Sequence, residues 1–129
     1  VDFDRRLIDL GQAASKIKGR ATVPMTDKIY DELLKAKGIA LSNYVIEYNG
    51  DKVVRIDQAF RRRVRATPGL EDVTPHVLRH SAAVWMAEAR VPMVEIAQYL
   101  GHTSTRITES HYARFSPDFL RDAASALNI

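Results

Sequence analysis

The sequence has 129 residues, 46% hydrophobic and 27% charged, with a formal net charge of +3. This length and balance predict a single globular domain with a buried core. The absence of cysteine excludes disulfides and thiolate metal sites, and no apolar run approaches the roughly 18 residues that a membrane span requires. No signal-peptide pattern opens the chain, so these features favour a cytoplasmic protein without a membrane partner.

Two short extended segments open the chain. Residues 7–10 and 21–24 alternate apolar and polar side chains, and a polar connection rich in Gly, Ser and Lys joins them. Alternation with a period of two is typical of β-strands, so this region predicts a small antiparallel sheet. A helix should follow, capped by Thr26 or Asp27 and ended by Gly38.

A turn and a second helix occupy the middle of the chain. Asn49 to Asp51 marks a turn between two short extended pieces, residues 44–46 and 52–54. Asp57 then caps a helix to about residue 66, which Pro68 and Gly69 stop. Basic residues crowd this helix and the early connection: Arg61, Arg62, Arg63 and Arg65 in the helix, and Lys16, Lys18 and Arg20 in the connection.

The third helix should open at Pro75, with Thr74 as its N-cap. His76, Arg79 and His80 lie three and four positions apart on it, so they project from one face. An apolar stripe on another face predicts contact with the core and leaves the basic face at a surface or cleft; the stripe consists of Leu78, Ala82, Trp85 and Ala89.

Three shorter helices complete the predicted pattern. Pro92 starts the fourth, and Gly101 ends it in a left-handed conformation that aims His102 away from the helix axis. A fifth helix from about Ser104 brings Tyr112 near its end, and a sixth begins at about residues 116–118. The fold class is therefore α+β and mainly α, with a small N-terminal antiparallel sheet followed by a helical bundle.

The side chains between His76 and Tyr112 indicate phosphate chemistry. A guanidinium and two imidazoles on one helix face suit a tetrahedral anion, because a planar fork donates paired hydrogen bonds. Tyr112 is a candidate nucleophile. With a reference pKa near 10, only about one phenol in a thousand is ionised at neutral pH, so Tyr112 needs a base or a strongly positive site. The combination points to reaction with a phosphodiester.

These residues resemble the C-terminal part of the catalytic domain of tyrosine recombinases, the phage integrase family. The family's His-x-x-Arg falls on His76 and Arg79, and its Leu-Gly-His ends on His102. Its nucleophile falls on Tyr112, at one of the two common spacings after His102. The resemblance implies the DNA breaking-rejoining catalytic fold and site-specific DNA recombination or integration, in a bacterial or phage setting.

The resemblance also implies the chemistry. Tyr112 would attack a DNA phosphodiester and form a 3′-phosphotyrosyl intermediate, which a 5′-hydroxyl of the partner strand attacks later, with no cofactor. Arg79 would neutralise the non-bridging oxygens, His76 would accept the phenolic proton or bind the phosphate, and His102 would donate to the same oxygens.

Two further side chains have roles that the resemblance leaves open. Lys16 is the expected proton donor to the leaving oxygen, with Lys18 as its rival. His80 is expected either to brace the other catalytic residues from behind or to have a structural role.

The partners implied are a double-stranded DNA recombination site and, for the parent protein, a tetramer assembled on that DNA. The helix at residues 57–66 would enter the major groove, and its arginines would divide between bases and phosphates. Lys18 and Arg20 would contact the DNA backbone. The last helix would dock on a neighbouring subunit or on its own body.

The family's upstream motif, Thr-Gly-x-Arg-x-Gly-Glu, and its N-terminal core-binding domain have no counterpart in the 129 residues. We therefore expect residues 1–129 to be a fragment of a DNA strand transferase. Alone, this fragment is expected to cleave little or no DNA.

Two other functions fit parts of the sequence. Ala97, Gly101 and Ile107 have the spacing of a helix-turn-helix, which predicts a non-catalytic DNA-binding regulator but leaves the reactive residues without a task. His76 and His80 could share a zinc ion, but Val77 replaces the glutamate that such a motif requires, and no third ligand is evident. No metal site is therefore expected.

Overall fold

The computed structural model describes residues 1–10 and 21–127. The chain divides into two compact units, one formed by residues 1–9 and 22–74, and the other containing residues 75–127. The first unit holds two short antiparallel hairpins and two helices, and the second is helical. This architecture confirms the predicted α+β class with a predominance of helix.

The early sheet is confirmed. β1 (Leu7–Asp9) pairs antiparallel with β2 (Thr22–Pro24), and Ile8 lies opposite Val23. Val23 is buried. The turn before β1 places Arg6 at a positive φ of 53°, and its guanidinium lies 4.2 Å from the Tyr30 ring centroid. This cation–π contact ties the sheet to the first helix.

Helix α1 (Asp27–Ile39) begins as predicted and ends slightly later. The Thr26 hydroxyl accepts a hydrogen bond from the Ile29 amide at 3.3 Å, which satisfies one of the unpaired amides of the first turn. The expectation that Gly38 ends the helix is wrong: the helix includes Gly38, and Ala40 occupies the C-cap.

A tight hairpin follows α1. β3 (Glu47–Tyr48) pairs with β4 (Asp51–Lys52) across a two-residue loop in which Asn49 and Gly50 have φ values of 52° and 87°. Positive φ at both central positions is what a right-twisted two-residue hairpin requires, which explains the Asn-Gly pair. The predicted turn is confirmed, but the strands lie closer to it than the expected extended pieces at 44–46 and 52–54.

Helix α2 (Asp57–Arg65) carries the arginine cluster on its exposed surface. Asp57 does not cap it, contrary to expectation. Ile56 occupies the N-cap, and the Asp57 carboxylate instead accepts two hydrogen bonds from Arg55, at 3.0 and 3.1 Å. Val64 is buried and anchors the opposite side of the helix.

The second unit consists of α3 (Pro75–Glu88), α4 (Met93–Leu100), α5 (Thr105–Tyr112), a 3₁₀ turn (Ala113–Phe115) and α6 (Arg121–Ser125). Helix α4 packs against both α3 and α5. The core of this unit lies where these three helices meet, and its buried members are Ala83, Ala87, Ile96, Leu100 and Tyr112.

The predicted core stripe of α3 is wrong. Trp85 is 69% exposed and Leu78 is 52% exposed, whereas Ala83 and Ala87 are completely buried. Every residue from 82 to 87 is apolar, so hydrophobicity alone does not define a face there. Small alanines allow close helix packing, and the buried face therefore continues directly from His80 at intervals of three and four residues.

The last helix is shorter than predicted. It begins at Arg121 rather than near residues 116–118, because Leu120 adopts a left-handed φ of 61° and interrupts the helical path. Within the described residues, no helix combines the length and the apolar character that crossing a bilayer would require.

Candidate active site

Helix α3 presents two adjacent basic side chains near the buried tyrosine. The Arg79 guanidinium donates a hydrogen bond to the backbone carbonyl of Leu100, at the C-terminal end of α4. This carbonyl is one of the acceptors that a helix end leaves unpaired, and it carries partial negative charge. An arginine has five N–H donors, so this bond fixes the guanidinium and leaves other donors for an anion.

His80 contacts the proposed nucleophile directly. Its Nδ1 lies 3.2 Å from the Tyr112 hydroxyl, and the two ring centroids are 5.2 Å apart. The tyrosine ring is only 7% exposed, whereas His80 is an exposed residue. The phenol therefore has its ring in the core and its hydroxyl at the edge of the core, against an imidazole.

Gly101 turns the chain at the end of α4 as predicted. Its φ of 67° is left-handed, its amide donates to the Gln98 carbonyl at 3.0 Å, and the His102 amide donates to the Ala97 carbonyl at 2.8 Å. These two bonds form a Schellman motif, which favours glycine because a Cβ is unfavourable at this φ. The motif fixes the backbone from which the His102 side chain projects.

The imidazole of His102 is held by a residue that the sequence reasoning missed. His102 Nδ1 lies 2.8 Å from the Thr108 hydroxyl, and Thr108 is completely buried. Thr108 lies four positions before Tyr112 on α5, so both project from the same face. That spacing is the one signal in the sequence that could have identified it.

Helix α5 thus presents a buried polar face to the site. Ser104 caps its N-terminus, accepting from the Arg106 amide at 3.2 Å. One turn apart on this helix, Thr108 and Tyr112 each contact one imidazole, those of His102 and His80 respectively. The predicted fifth helix and the position of Tyr112 at its end are confirmed.

The site is electropositive around His102. Burial lowers the pKa of His102, and the neighbouring positive charge of Arg79 and the nearby His111 lower the pKa further. His102 is therefore biased toward its neutral form near pH 7. Arg79 of α3 and His111 of α5 thus both act on this ring.

His111, next to Tyr112 in the sequence, makes polar contacts of its own. Its Nδ1 lies 2.9 Å from the Ile107 carbonyl and 3.0 Å from the Ser110 hydroxyl. A carbonyl only accepts, so Nδ1 carries the proton and the other ring nitrogen is left for another partner. His111 is exposed, with its ring centroid 6.1 Å from that of Tyr112.

The remaining predicted residues are distributed as follows. His76 is exposed and lies one turn before His80 on α3. The four arginines of α2 are exposed and belong to the other unit, and none of the ion pairs within the described part of the chain involves them. Lys16, Lys18 and Arg20 lie outside the described residues.

The positions of Ile107 and His80 differ from those that a helix-turn-helix regulator and a zinc site would require. In a helix-turn-helix the position of Ile107 is buried, but here Ile107 is 48% exposed and Thr108 takes the buried place. Among residues 1–10 and 21–127, no three histidine or carboxylate side chains cluster in a way that could hold a metal ion. His80, one of the two proposed zinc ligands, instead contacts the Tyr112 hydroxyl.

Solved structures share this fold. The XerA recombinase structure superposes with a TM-score of 0.71 at 21% identity, over 100% of this chain and 49% of that one. The Tn1549 transposon integrase in complex with circular intermediate DNA gives 0.73 at 19% identity, over 98% and 51%. The catalytic domain of bacteriophage HP1 integrase gives 0.61 at 24% identity, over 96% and 66%. The fold is that of the tyrosine recombinase catalytic domain, as predicted.

Sequence relatives agree with the structures. The chain is 38% identical over 61 residues to the tyrosine recombinase XerC of Bifidobacterium longum strain DJO10A, covering 44% of this chain and 17% of that protein. It is 33% identical over 82 residues to the XerC of Roseiflexus castenholzii, covering 61% and 26%. The chain thus spans about a quarter or less of these relatives. Because the phage integrase family model matches residues 1–118, the chain belongs to that family.

Proposed function

We propose that this chain forms part of the catalytic domain of a site-specific DNA recombinase, in which Tyr112 is the nucleophile. The observation that carries the proposal is the hydrogen bond between the Tyr112 hydroxyl and His80, beside Arg79. A buried phenol hydroxyl needs a partner, and here that partner is an imidazole on the same helix as the anchored guanidinium of Arg79. Membership of the phage integrase family supports the same conclusion.

The proposed reaction is a reversible transesterification. The Tyr112 oxygen attacks a DNA phosphorus, and the bond from phosphorus to the 5′-oxygen breaks. The products are a 3′-phosphotyrosine and a free 5′-hydroxyl. A 5′-hydroxyl of the partner strand then attacks the phosphotyrosine and releases Tyr112. Each step exchanges one phosphate ester for another, so no cofactor is needed.

The basic residues have distinct proposed tasks. Arg79 stabilises the charge on the non-bridging oxygens of the phosphate, because its guanidinium is already anchored by the Leu100 carbonyl. His102 donates to the same oxygens, and His76 accepts the phenolic proton or binds the phosphate. His80 orients the hydroxyl of Tyr112.

Protonation of the leaving 5′-oxygen is assigned to Lys16, with Lys18 as the alternative. A proton donor is required because an alkoxide is a poor leaving group near neutral pH, and a lysine ammonium can supply that proton. Substituting each lysine in turn by Met, and testing rescue with a substrate whose 5′-oxygen is replaced by sulfur, identifies the donor. The better leaving group rescues only the variant that lacks the proton donor.

Tyr112→Phe tests the proposal. In the full-length protein, a DNA suicide substrate that traps the cleaved strand should yield a covalent complex stable in detergent. Tyr112→Phe should abolish the covalent complex but preserve DNA binding, because only the phenolic oxygen is removed. The complex is scored by denaturing electrophoresis.

A second tyrosine provides the matched control. Tyr48 in β3 is largely exposed, so Tyr48→Phe removes a phenol hydroxyl elsewhere and should leave covalent capture intact. Binding without any covalent complex in the unaltered protein would instead support a DNA-binding regulator. Covalent capture that survives in Tyr112→Phe would contradict Tyr112 as the nucleophile.

We further propose that double-stranded DNA with a specific recombination site is the substrate, that the parent protein acts as a tetramer on it, and that residues 1–129 alone cleave little DNA. The Tn1549 structure is described as a complex with circular intermediate DNA, which supports the choice of substrate. Comparing the isolated chain with the full-length protein on one suicide substrate tests the last statement.

A further inference from the structure

We infer that Thr108 is a positioning residue for His102: its buried hydroxyl binds Nδ1 and so directs Nε2 toward the phosphate. The inference rests on the proposed function, since it deepens the role of His102 there. Thr108 does not itself touch the substrate. It acts through the ring that it holds.

The burial of Thr108 is the first argument. Among the described residues, Thr108 is the one fully buried polar side chain, in a core otherwise built from Ala, Ile, Leu and Tyr. A buried hydroxyl is unfavourable unless it is hydrogen-bonded, and valine would fill the same volume without that requirement. The hydroxyl is paired with His102 at 2.8 Å, so a polar contact explains the choice of residue.

The constraint on the ring is the second argument. The Schellman motif fixes the backbone of His102, and the bond at Nδ1 fixes the rotation of the imidazole. An imidazole has two nitrogens, so Nε2 is the atom that remains for the substrate. A neutral ring offers Nε2–H to an oxygen when Nδ1 accepts a proton donor, and the threonine hydroxyl is such a donor.

The electrostatics agree with this arrangement. Burial and the charge of Arg79 lower the pKa of His102, so the ring is biased toward neutrality. A neutral imidazole donates from Nε2 only in the tautomer that leaves Nδ1 unprotonated. We infer that the Thr108 hydroxyl, which can donate or accept, donates to Nδ1 and so stabilises that tautomer. In this arrangement Thr108 determines both the tautomer of His102 and the orientation of its ring.

Substitutions of Thr108 separate this role from packing. Thr108→Val keeps the volume and removes the hydroxyl, whereas Thr108→Ser keeps the hydroxyl. With the full-length protein, we expect Thr108→Val to lower kcat for cleavage by about tenfold with KM nearly unchanged, the equivalent of one hydrogen bond. Thr108→Ser should retain most of kcat. Thr22→Val on the exposed edge of β2 is the control for loss of a threonine hydroxyl.

A double-mutant cycle with His102→Ala gives the decisive comparison. If Thr108 acts through His102, Thr108→Val should have no further effect on kcat once His102 is alanine. An equal loss of kcat in both backgrounds would overturn the inference, and so would full activity of Thr108→Val.

Nuclear magnetic resonance of the full-length protein provides a test that requires neither activity nor a substituted protein. In ¹⁵N-labelled protein above the pKa of His102, we expect a protonated Nε2 and an unprotonated, hydrogen-bonded Nδ1. A protonated Nδ1 would overturn the tautomer assignment. This measurement uses no DNA, so its failure would contradict the inference about Thr108 alone. Failure of the proposed function would instead appear as the absence of covalent capture of DNA.

Discussion

At the scale of residues, the site depends on polar atoms placed at the edge of an apolar core. Ala83 and Ala87 are buried on the helix face that begins with His80. The His80 imidazole therefore lies at the polar end of this face, one turn before the buried alanines. Buried polar groups need partners, and the two imidazoles serve as partners for Thr108 and Tyr112. Packing and chemistry therefore constrain the same side chains.

The lowered pKa of His102 predicts a dependence of stability on pH. The pKa in the folded state lies below the ordinary value of 6.5, so the unfolded chain binds the proton more readily. The stabilising contribution is therefore complete above pH 6.5 and is lost as the pH falls through the folded pKa. Thermal unfolding followed at several pH values between 5 and 8 should show the midpoint falling with acidity.

His102→Gln isolates this contribution, because glutamine is polar but does not titrate. Its stability should fall less steeply on acidification than that of the unaltered chain. The two proteins differ only at this position, so the difference between the two curves reports on His102. Parallel curves would contradict the assignment of the shift to this residue.

At the scale of elements, the helix ends position the side chains that are proposed to react. The C-terminus of α4 supplies the Leu100 carbonyl that anchors Arg79, and the Gly101 turn sets the direction of His102. A similar motif ends α3, where Arg90 adopts a φ of 63° and the Val91 amide donates to the Met86 carbonyl at 3.0 Å. The ion pair between Arg90 and Asp118, at 3.0 Å, links this turn to the segment after Tyr112.

Two glycines should respond oppositely to substitution by alanine. Gly101→Ala places a Cβ in the left-handed region and should destabilise the fold by about 1–2 kcal/mol. Gly38 lies inside α1, has no positive φ, and an added Cβ would meet no atom within 4 Å. Gly38→Ala should therefore stabilise by about 0.5–1 kcal/mol.

Chemical denaturation measures both effects. Gly101→Asn is a useful intermediate, because asparagine tolerates the left-handed region better than alanine does. Equal stability of the Gly101 variants and the unaltered chain would show that the Schellman turn is not required for folding.

At the scale of the whole molecule, the arginine cluster lies in one unit and the residues proposed to react lie in the other. The net charge of +3 is modest, but α2 places Arg61, Arg62, Arg63 and Arg65 within five residues. The proposed reactive residues belong to the other unit. Under the proposed function, α2 would contact phosphates and bases, and the helices that follow would carry the reaction.

The arginine cluster predicts a salt dependence of DNA binding. Each phosphate contact that is lost should reduce the slope of log K against log salt concentration by about 0.9. Arg62→Gln should therefore weaken binding and flatten the slope if Arg62 contacts a phosphate. Fluorescence anisotropy at several salt concentrations measures both quantities.

Lys35→Gln is the matched control, since it removes the same charge from an exposed helix. Lys35 is paired with Glu32 at 2.9 Å on α1, away from the arginine cluster in the sequence. Its substitution should leave the slope unchanged. A similar flattening in both variants would mean that net charge, and not a contact by α2, governs the affinity.

The sequence by itself determined those features that depend on local chemistry. The early hairpin follows from alternation, the Asn49–Gly50 turn from positive φ, and the end of α4 from Gly101, because each is encoded within a few neighbouring residues. The family motifs likewise predicted Arg79 and Tyr112 as candidate site residues, since their spacing along the chain is enough to recognise the pattern.

Only the tertiary structure decided which side chains touch. Which apolar face of α3 is buried depends on where α4 packs, so the choice of Ala83 and Ala87 over Trp85 could not be read from the spacing. The pairing of Thr108 with His102 requires two helix segments to meet, and the bond from His80 to Tyr112 spans 32 positions. Such contacts arise from packing between distant segments, which local propensity does not encode.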